Sequence, residues 1–305
     1  MSGTGRIGID LGGTKTRLVL VDAEGNVLTS ATRPTAEYGN GMAAAIALAF
    51  DVRRLAGNRT PDFVGVGASG PVLPDGTIAN PGTLPGFSGF NLADSLEAAL
   101  HTPCRVDNDA LVAALGEWRY GAGRGARRLL MVTLGTGIGV AVVTDGAPYV
   151  GTDGVAPEAG HIQVAGAGNP CYCGLTNCWE QLASRTALQS LALAAVPDPE
   201  TDPQEAVAHL ARHPGQSDVF AEFGRRVGLG LATLLTVHRP DVVVLGGSGA
   251  EQFELMEPGL RSALAGRPAY YAPFTLGAAA LGDLGGAVGA ACLSLTQPQR
   301  QGSSL

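Results

Sequence analysis

Apolar residues in this chain fall into two patterns: short β-branched runs that end in glycine, and longer stretches with helical spacing. The first run covers residues 7–21 and is interrupted at Gly12 and Gly13, which predicts strand, glycine turn, strand. An Asp-Ala-Glu-Gly turn at 22–25 follows, and an apolar segment resumes at Asn26. We therefore expect a three-stranded antiparallel meander at the start of the chain.

The same strand, turn, strand pattern recurs at residues 130–145. The spacing from Gly12 to Gly135 equals the spacing from Asp22 to Asp145, so the turn and the strand end stay in register. This indicates an internal duplication. Two such halves predict two α/β domains that face one another, with the glycine turns at the mouth of the cleft between them, a location that ligands favour.

Periodicity also predicts the elements between and after the two hairpins. Helices are expected at 42–55, 92–100, 110–117, 219–238 and 282–292, and strands at 63–68, around Val106 and at 242–245. The segment 75–91 is dense in Gly, Pro and Asn and lacks periodicity, so it is either a functional loop or a solvated connection. Three prolines and three acids at 196–203 predict an exposed loop.

Composition limits the class of protein. The 305 residues suffice for two ordinary domains or one large one, and 45% hydrophobic with 15% charged residues is typical of a globular protein. The net charge of −7 argues against a broad electrostatic grip on nucleic acid or on an anionic membrane. An apolar leader and a membrane-spanning run are both missing from the sequence, so we expect a cytoplasmic protein with no membrane partner.

A cluster of metal ligands is the most specific chemical signal. It consists of His161, Cys171, Cys173 and Cys178, which are soft or borderline ligands that suit tetrahedral Zn²⁺. Four protein ligands leave no open position, so the zinc is expected to be structural. The alternative is buried thiols or a disulfide, although Cys171 and Cys173 are too close to bridge each other easily. Glu158 and Glu180 flank the cluster, and zinc would hold them in place.

The two glycine turns predict a phosphate site. Glycine lets backbone N–H groups approach an anion closely because it has no Cβ and tolerates positive φ. Thr14 and Thr136 add hydroxyl donors, Lys15 adds a positive charge, and Asp10 is suited to holding a metal-bound water. A single such turn is often only a hairpin, but two in register favour phosphate. A further glycine turn, 246–249, precedes a helical pattern and is suited to lie against a nucleotide.

Asn108 and Asp109 follow a strand and open a helix. Either residue is a good helix cap, and a carboxylate at that position is equally suited to catalysis. The segment alone does not distinguish the two roles.

Several motifs occur together in the order found in one family. They are Asp10-Leu-Gly-Gly-Thr-Lys15, Asn108-Asp109-Ala110, Leu134-Gly-Thr-Gly-Ile-Gly139, Glu158-Ala-Gly-His161, the cysteine cluster and Leu245-Gly246-Gly247. From about Arg6 to about Cys292 the chain resembles the ROK family of sugar kinases and repressors, and within it the bacterial glucokinases most. The resemblance implies an α/β, actin-like, hexokinase-type ATPase fold: two ribonuclease H-like domains with a cleft between them for ATP and Mg²⁺. It also implies a homodimer.

The resemblance carries roles onto matching positions of this sequence. Asp109 matches the catalytic base that acts on the 6-hydroxyl of glucose or a related hexose. Sugar contacts would come from Asn108, Glu158, His161 and Glu180, with Asn80 as a weaker match. The nucleotide clamp would comprise Asp10 near Mg²⁺, Gly12, Gly13, Thr14, Lys15, Gly135, Thr136 and Gly137, with Gly246 and Gly247 near the adenosine.

The same resemblance implies a domain division and shows three departures, one of which is Pro157 where the family often has glycine ahead of Glu158. A small domain would cover residues 1–118 with a helix of about 285–305 packing back on it. A large domain would cover 119–284, with the zinc-binding insertion at 158–180. Asn177 replaces the glycine usual before the third cysteine, and asparagine tolerates the left-handed conformation that such a turn needs. The chain reads Asn80-Pro81 where the family commonly has Pro-Asn, so a turn role for Asn80 is equally possible.

Three other functions compete with a glucose kinase. One is a kinase for fructose, mannose, N-acetylglucosamine or N-acetylmannosamine, and another is an actin-like ATPase that is not a kinase. The third, a repressor, would need a DNA-reading module ahead of the first hairpin, and we expect none because Asp10 lies so near the start. The phosphoryl donor, ATP or polyphosphate, stays open.

Overall fold

The fold comes from a computed structural model that describes residues 5–57, 59–166, 169–196, 200–216, 218–267 and 273–296. The strands are β1 (Arg6–Leu11), β2 (Lys15–Val21), β3 (Val27–Pro34), β4 (Phe63–Ala68), β5 (Cys104–Asn108), β6 (Arg128–Leu134), β7 (Ile138–Thr144), β8 (Ala147–Pro148), β9 (Val242–Gly246) and β10 (Thr275–Ala278). The α-helices are α1 (Met42–Leu55), α2 (Leu92–Leu100), α3 (Asp109–Tyr120), α4 (Trp179–Ala183), α5 (Arg185–Ala195), α6 (Pro203–Arg212), α7 (Val219–His238), α8 (Phe253–Leu264) and α9 (Gly285–Ala291).

The first sheet has the strand order β3-β2-β1-β4-β5. Strands β1, β2 and β3 pair antiparallel, which confirms the predicted meander. Strands β1, β4 and β5 are parallel, so their carboxyl ends meet at one edge of the sheet. Every residue of β4 is buried, as expected for a parallel strand covered on both faces.

Helix α9 packs directly on this sheet. Its backbone approaches β1 and β4 so closely that a Cβ on Gly8 or Gly65 would collide with the carbonyls of Ala287 and Ala290. The helix predicted at 282–292 is therefore present over Gly285–Ala291, and it packs closely on the sheet. The helix ends at Ala291, and a 3-10 turn continues to Leu295. The remainder of the predicted 285–305 helix, from residue 297 onward, lies outside the described residues.

The second sheet has the order β10-β9-β6-β7-β8. Strands β6, β9 and β10 are parallel, and β7 pairs antiparallel with the short β8. The hairpin β6–β7 matches the predicted second strand, turn, strand unit at 130–145.

The chain divides into two compact units. One comprises residues 1–127, 141–157 and 279–305, and the other comprises 128–140 and 158–278. The expected boundaries were 118/119 and 284/285. The first unit extends beyond 118 because Glu117, at the end of α3, receives hydrogen bonds from the backbone of Ala122, Ala280 and Leu281. The assignment of functional domains stays a prediction.

One predicted loop is shorter than expected. Helix α6 begins at Pro203, inside the 196–203 segment, because proline fits the first turn of a helix and Asp202 caps the N–H groups of Gln204 and Glu205. Pro197, Asp198 and Pro199 lie outside the described residues. In the part of the chain that the structure describes, none of the helices combines the length and apolar character needed to cross a membrane.

Candidate active site

The first unit gathers its predicted site residues at the carboxyl edge of three parallel strands. Leu11 of β1 pairs with Ala68 of β4, and Ala68 pairs with Asn108 of β5. The turn that begins at Ser69 follows β4 at this edge, and the N–H of Ser69 donates to the carbonyl of Leu11. Residues that end β1 and begin α3 are thereby brought together around one turn.

Asp109 is held by two hydrogen bonds. The hydroxyl of Ser69 donates to Oδ2 at 2.9 Å, and the N–H of Ala110 donates to Oδ1 at 2.8 Å. Burial raises the pKa of Asp109, and the bonds from Ser69 and Ala110 act in the opposite direction. An oriented carboxylate with a raised pKa is a suitable proton acceptor.

Asn108, not Asp109, caps helix α3. Its Oδ1 accepts the N–H groups of Ala110 and Leu111 at 2.9 and 3.2 Å, and its amide nitrogen donates to the carbonyl of Gly70 at 3.1 Å. These contacts use the oxygen and one of the two amide hydrogens. The structure thus gives the capping role to Asn108, and a catalytic role for Asp109 stays a prediction.

Asp10 is the second carboxylate of this edge. Its pKa is raised to about 6, first by burial and then by the charge of Asp109, while Arg17 acts to lower it. The Arg17 guanidinium lies 3.4 Å from Oδ2 of Asp10. Two carboxylates that influence each other make an oxygen-rich site of the kind that Mg²⁺ prefers.

Sequence reasoning missed Ser69 and Arg17. Arg17 could have been predicted, because the register of the hairpin places it opposite Asp10 on the neighbouring strand. For Ser69 the signal was weaker: it is a small hydroxyl residue in the turn that follows a buried strand.

The first glycine turn is closed mainly by its own backbone. The N–H of Gly12 donates to the carbonyl of Lys15 at 3.2 Å, and the hydroxyl of Thr35 donates to the carbonyl of Gly12 at 2.6 Å. Gly13, Thr14 and Lys15 are exposed. A Cβ on Gly13 would lie 2.6 Å from the methyl of Thr83, which belongs to the long loop 75–91. Close packing of this loop is one reason for glycine at position 13.

Asn80 anchors that long loop. Its amide nitrogen donates to the carbonyl of Ser69 at 2.9 Å, and its Oδ1 accepts the N–H of Thr83 at 3.2 Å. Its own N–H donates to the hydroxyl of Ser88 at 3.1 Å. These contacts support the turn role, while a direct sugar contact from Asn80 stays a prediction.

In the second unit the four predicted metal ligands converge. One ligand atom from each of His161, Cys171, Cys173 and Cys178 lies within 4.8 Å of every other. The sulfurs of Cys173 and Cys178 are 3.5 Å apart, as are the sulfur of Cys171 and Nδ1 of His161. A tetrahedral zinc ion separates its sulfur and nitrogen ligands by roughly 3.4–3.8 Å, so the donor set and its spacing fit this ion.

The local backbone has the expected conformation, whereas the pKa values of two of the thiols are shifted in opposite directions. Asn177 has φ of 58°, which confirms the expected left-handed conformation before the third cysteine. The N–H of Leu175 lowers the pKa of Cys173, whereas burial raises the pKa of Cys178 to about 12. A bound dication would favour the thiolate form of both.

Glu180 links this cluster to the second glycine turn. Its Oε1 lies 3.7 Å from Nδ1 of His161, and the thiol of Cys171 donates to the same oxygen at 3.7 Å. Its Oε2 accepts the N–H of Ile138 at 3.4 Å. The side chain is buried, and a Cβ on Gly137 would lie 2.5 Å from Oε2. Glycine at 137 therefore makes room for this carboxylate.

The outer nitrogen of His161 faces a tyrosine. Nε2 lies 3.0 Å from the hydroxyl of Tyr172, and the two rings meet edge to face at 5.1 Å. His161 was expected both to bind the metal and to contact sugar, and no sequence signal pointed to Tyr172. Glu158 is exposed, and its carbonyl accepts the N–H of His161.

The second glycine turn lies beside the start of helix α5. The N–H of Gly135 donates to the carbonyl of Gly137 at 3.0 Å, and the N–H of Arg185 donates to the carbonyl of Gly135 at 2.8 Å. Gly247, in the 246–249 turn, has φ of 75° and packs against the backbone of Leu134. The two turns assigned to the nucleotide are therefore neighbours within this unit.

Known proteins with similar sequence extend over nearly the whole chain. The ROK family model matches residues 6–297. A glucokinase from Streptomyces coelicolor is 32% identical over 315 aligned residues, covering 94% of this chain and 96% of the relative.

Two solved structures are similar in fold and sequence. A ROK family glucokinase from Streptomyces griseus, crystallised with glucose and AMPPNP, has a TM-score of 0.79 and 31% identity, with 94% of this chain and 98% of that chain covered. A ROK hexokinase from Thermus thermophilus has a TM-score of 0.77 and 34% identity, with 93% and 96% covered.

These similarities, with two mixed five-stranded sheets and their helices, confirm the predicted α/β fold of the actin-like, hexokinase type. The family model covers far more than half of the residues, and the motifs that first indicated it all lie within the match. The chain belongs to the ROK family.

Proposed function

We propose that the protein is a glucokinase, which transfers the γ-phosphoryl group of ATP to the 6-hydroxyl of glucose and releases ADP and glucose 6-phosphate. The observation that carries this proposal is the carboxylate of Asp109, oriented by Ser69 and Ala110 at the carboxyl edge of three parallel strands. Relatives that are about a third identical over nearly the whole chain and are named glucokinase or hexokinase support it.

Asp109 acts as the general base. A sugar hydroxyl has a very high pKa, so a carboxylate cannot deprotonate it in advance. Instead the 6-hydroxyl oxygen attacks the γ-phosphorus, its proton passes to Asp109 as the new P–O bond forms, and the bond to ADP breaks. Ser69 holds the accepting carboxylate in place. Burial raises the pKa of Asp109, and a higher pKa strengthens it as a proton acceptor.

Asp10 would hold Mg²⁺, directly or through water. When bound, the ion neutralises charge on the phosphates. The residues fit it, because oxygen ligands are present and the pKa of Asp10, raised to about 6, still leaves the carboxylate ionised at neutral pH. The N–H groups of Gly12 and Gly135 donate within their own turns, so the other backbone N–H groups of Gly12–Lys15 and Gly135–Gly137 would bind the phosphates. Gly246 and Gly247 would lie near the adenosine.

Sugar recognition falls to side chains around the metal cluster. Glu158, His161 and Glu180 would bind hexose hydroxyl groups, with Asn108 from the first unit. Structural Zn²⁺ held by His161 and the three cysteines would fix Glu180 and His161, because rigid acceptors discriminate hydroxyl configuration better than mobile ones. Assembly as a homodimer stays a prediction.

A coupled assay with saturating ATP tests the function. Steady-state rates are measured for glucose, mannose, fructose, N-acetylglucosamine and N-acetylmannosamine, and glucose is expected to have the highest kcat/KM. A preference of about tenfold for another hexose, ~1.4 kcal/mol at the transition state, would make the protein a different ROK kinase. ATP hydrolysis that is independent of sugar would instead favour an ATPase. Replacing ATP with polyphosphate in the same assay identifies the donor.

A further inference from the structure

Arg185 joins the two glycine turns of the second unit. It is the first residue of helix α5, and its Nη2 donates to the hydroxyl of Thr136 at 3.0 Å. Its Nη1 donates to the hydroxyl of Ser248 at 3.4 Å. Thr136 belongs to the turn assigned to the phosphates, and Ser248 belongs to the 246–249 turn assigned to the adenosine. The guanidinium therefore lies along the expected path of a nucleotide.

The charge of Arg185 has no protein counterion in the described ranges. None of the ion pairs among those residues includes Arg185, and its two side-chain hydrogen bonds go to neutral hydroxyl groups. Its Nε is buried and has no hydrogen-bond partner there. A buried donor on a charged group is costly unless it is paired. The guanidinium thus has acceptors for Nη1 and Nη2 but none for Nε, and no negative charge lies beside it among the described residues.

The position on the helix makes this arrangement more unusual. Helix α5 has 11 residues, and the N-terminal turn of a helix carries a partial positive charge. Asp, Glu and bound anions stabilise that end, whereas a cation there is repelled. An arginine at the first position therefore breaks a local rule of helix stability, and such exceptions concentrate at functional sites.

We propose that Arg185 binds the phosphate chain of the nucleotide. This inference rests on the proposed function and adds a cation to the clamp that the glycine turns form. A phosphate supplies the negative charge that Arg185 lacks, and its oxygens can accept from the second N–H groups of Nη1 and Nη2, which lie in an exposed environment. The planar fork of arginine fits phosphate oxygens better than the single ammonium group of lysine does. The hydroxyls of Thr136 and Ser248 hold the fork in place before the nucleotide arrives.

Nucleotide binding in the absence of sugar tests this role. Isothermal titration calorimetry measures the Kd of adenosine, AMP, ADP·Mg and AMPPNP·Mg for the wild type, for Arg185→Gln and for Arg185→Lys. For Arg185→Gln we expect the Kd of AMPPNP·Mg to rise by about tenfold or more, with an unchanged Kd for adenosine. The shortest nucleotide whose Kd also rises shows which phosphate Arg185 contacts. Arg185→Lys keeps the charge but loses the planar fork, so its Kd for AMPPNP·Mg should lie between those of the wild type and Arg185→Gln. The matched control is Arg212→Gln, an exposed arginine on α6 that should bind every nucleotide as the wild type does.

The outcomes separate this role from packing and from the proposed function. Equal weakening of adenosine and AMPPNP by Arg185→Gln, or wild-type affinity for both, would overturn the assignment. Melting temperature and metal content show whether each variant is folded. If Arg185→Gln is not folded, the nucleotide affinities of Arg185→Lys test the assignment. Because no phosphoryl transfer is needed, the assignment can hold even if wild-type protein phosphorylates no hexose, which would refute only the function.

Discussion

The hydroxyl of Ser69 donates a hydrogen bond of 2.9 Å to the carboxylate of Asp109. Ser69 follows β4 and Asp109 opens α3, so the bond joins two elements that are distant in sequence but end at the same sheet edge. Burial raises the pKa of Asp109, and this bond lowers it. Ser69 therefore adjusts how much of the base is ionised at a given pH.

Replacing Ser69 with alanine should move the acid limb of the pH profile. Loss of the bond raises the pKa of Asp109, and since the ionised form is the base, kcat/KM should fall about tenfold at the acid end and recover as pH rises. Steady-state rates across the pH range measure this. Ser95→Ala removes a hydroxyl from α2 outside the site and should leave the profile unchanged. A pH-independent loss in Ser69→Ala would contradict the assigned role.

Replacing Asp10 with asparagine should stabilise the protein at neutral pH. The pKa of Asp10 is raised from 3.8 to about 6, so the folded state holds the proton more tightly than the unfolded chain. Stability contributed by this group is full below the unfolded pKa and falls as pH rises through the folded pKa. In denaturant unfolding, the free energy of unfolding of Asp10→Asn should exceed that of the wild type by about 1–2 kcal/mol at about pH 7. At about pH 4 the two free energies should be equal.

An advantage that is the same at both pH values would show that Asp10 is not the titrating group. Activity should fall in this variant even as stability rises, because asparagine is a weaker Mg²⁺ ligand than a carboxylate. The variant thus separates the stability cost of the site from its chemistry.

Alanine at Gly137 and at Gly135 should have different effects on hexose binding. A Cβ at 137 would lie 2.5 Å from Oε2 of Glu180, whereas the nearest neighbour of a Cβ at 135 is the carbonyl of Gly137 at 3.8 Å. Displacing Glu180 should raise the Kd for hexose by about tenfold in Gly137→Ala. Titration with sugar alone measures this, with Gly135→Ala as the matched control. Equal effects of the two substitutions would exclude Glu180 from sugar binding.

Metal analysis should find one zinc ion per chain. Substituting Cys173 with serine removes a thiolate ligand, so zinc should be lost and the KM for hexose should rise at least tenfold, while the Kd for AMPPNP changes little. Cys104→Ser is the control, because Cys104 is buried in the first unit away from the cluster. Full hexose affinity in a zinc-free Cys173→Ser protein would remove the metal from the proposed mechanism.

Much of the fold could be predicted because its periodic segments are strong. Helix α1 and helix α7 have the predicted bounds of 42–55 and 219–238, and the two hairpins were visible from their glycine turns. Helix α6 was not predicted, and its first residue, Pro203, was assigned to a loop because proline belongs equally to a loop and to the first turn of a helix. Local sequence does not distinguish those two roles.

The site shows a similar division. The metal ligands could be predicted from the spacing of Cys171, Cys173 and Cys178, because neighbouring residues of one segment stay close however the chain folds. Ser69 and Arg185 could not, since each acts through a contact that only the tertiary fold creates. Residues brought to a site by strand order or by helix packing leave little signal in a single sequence.

The most direct test of the central claim is the single-turnover rate of Asp109→Ala with saturating ATP and glucose. If Asp109 is the base, the rate should fall by a factor of about 100 to 10,000. Hexose affinity, zinc content and melting temperature should be preserved. A rate within about tenfold of wild type would show that another group accepts the proton and would contradict the proposed mechanism.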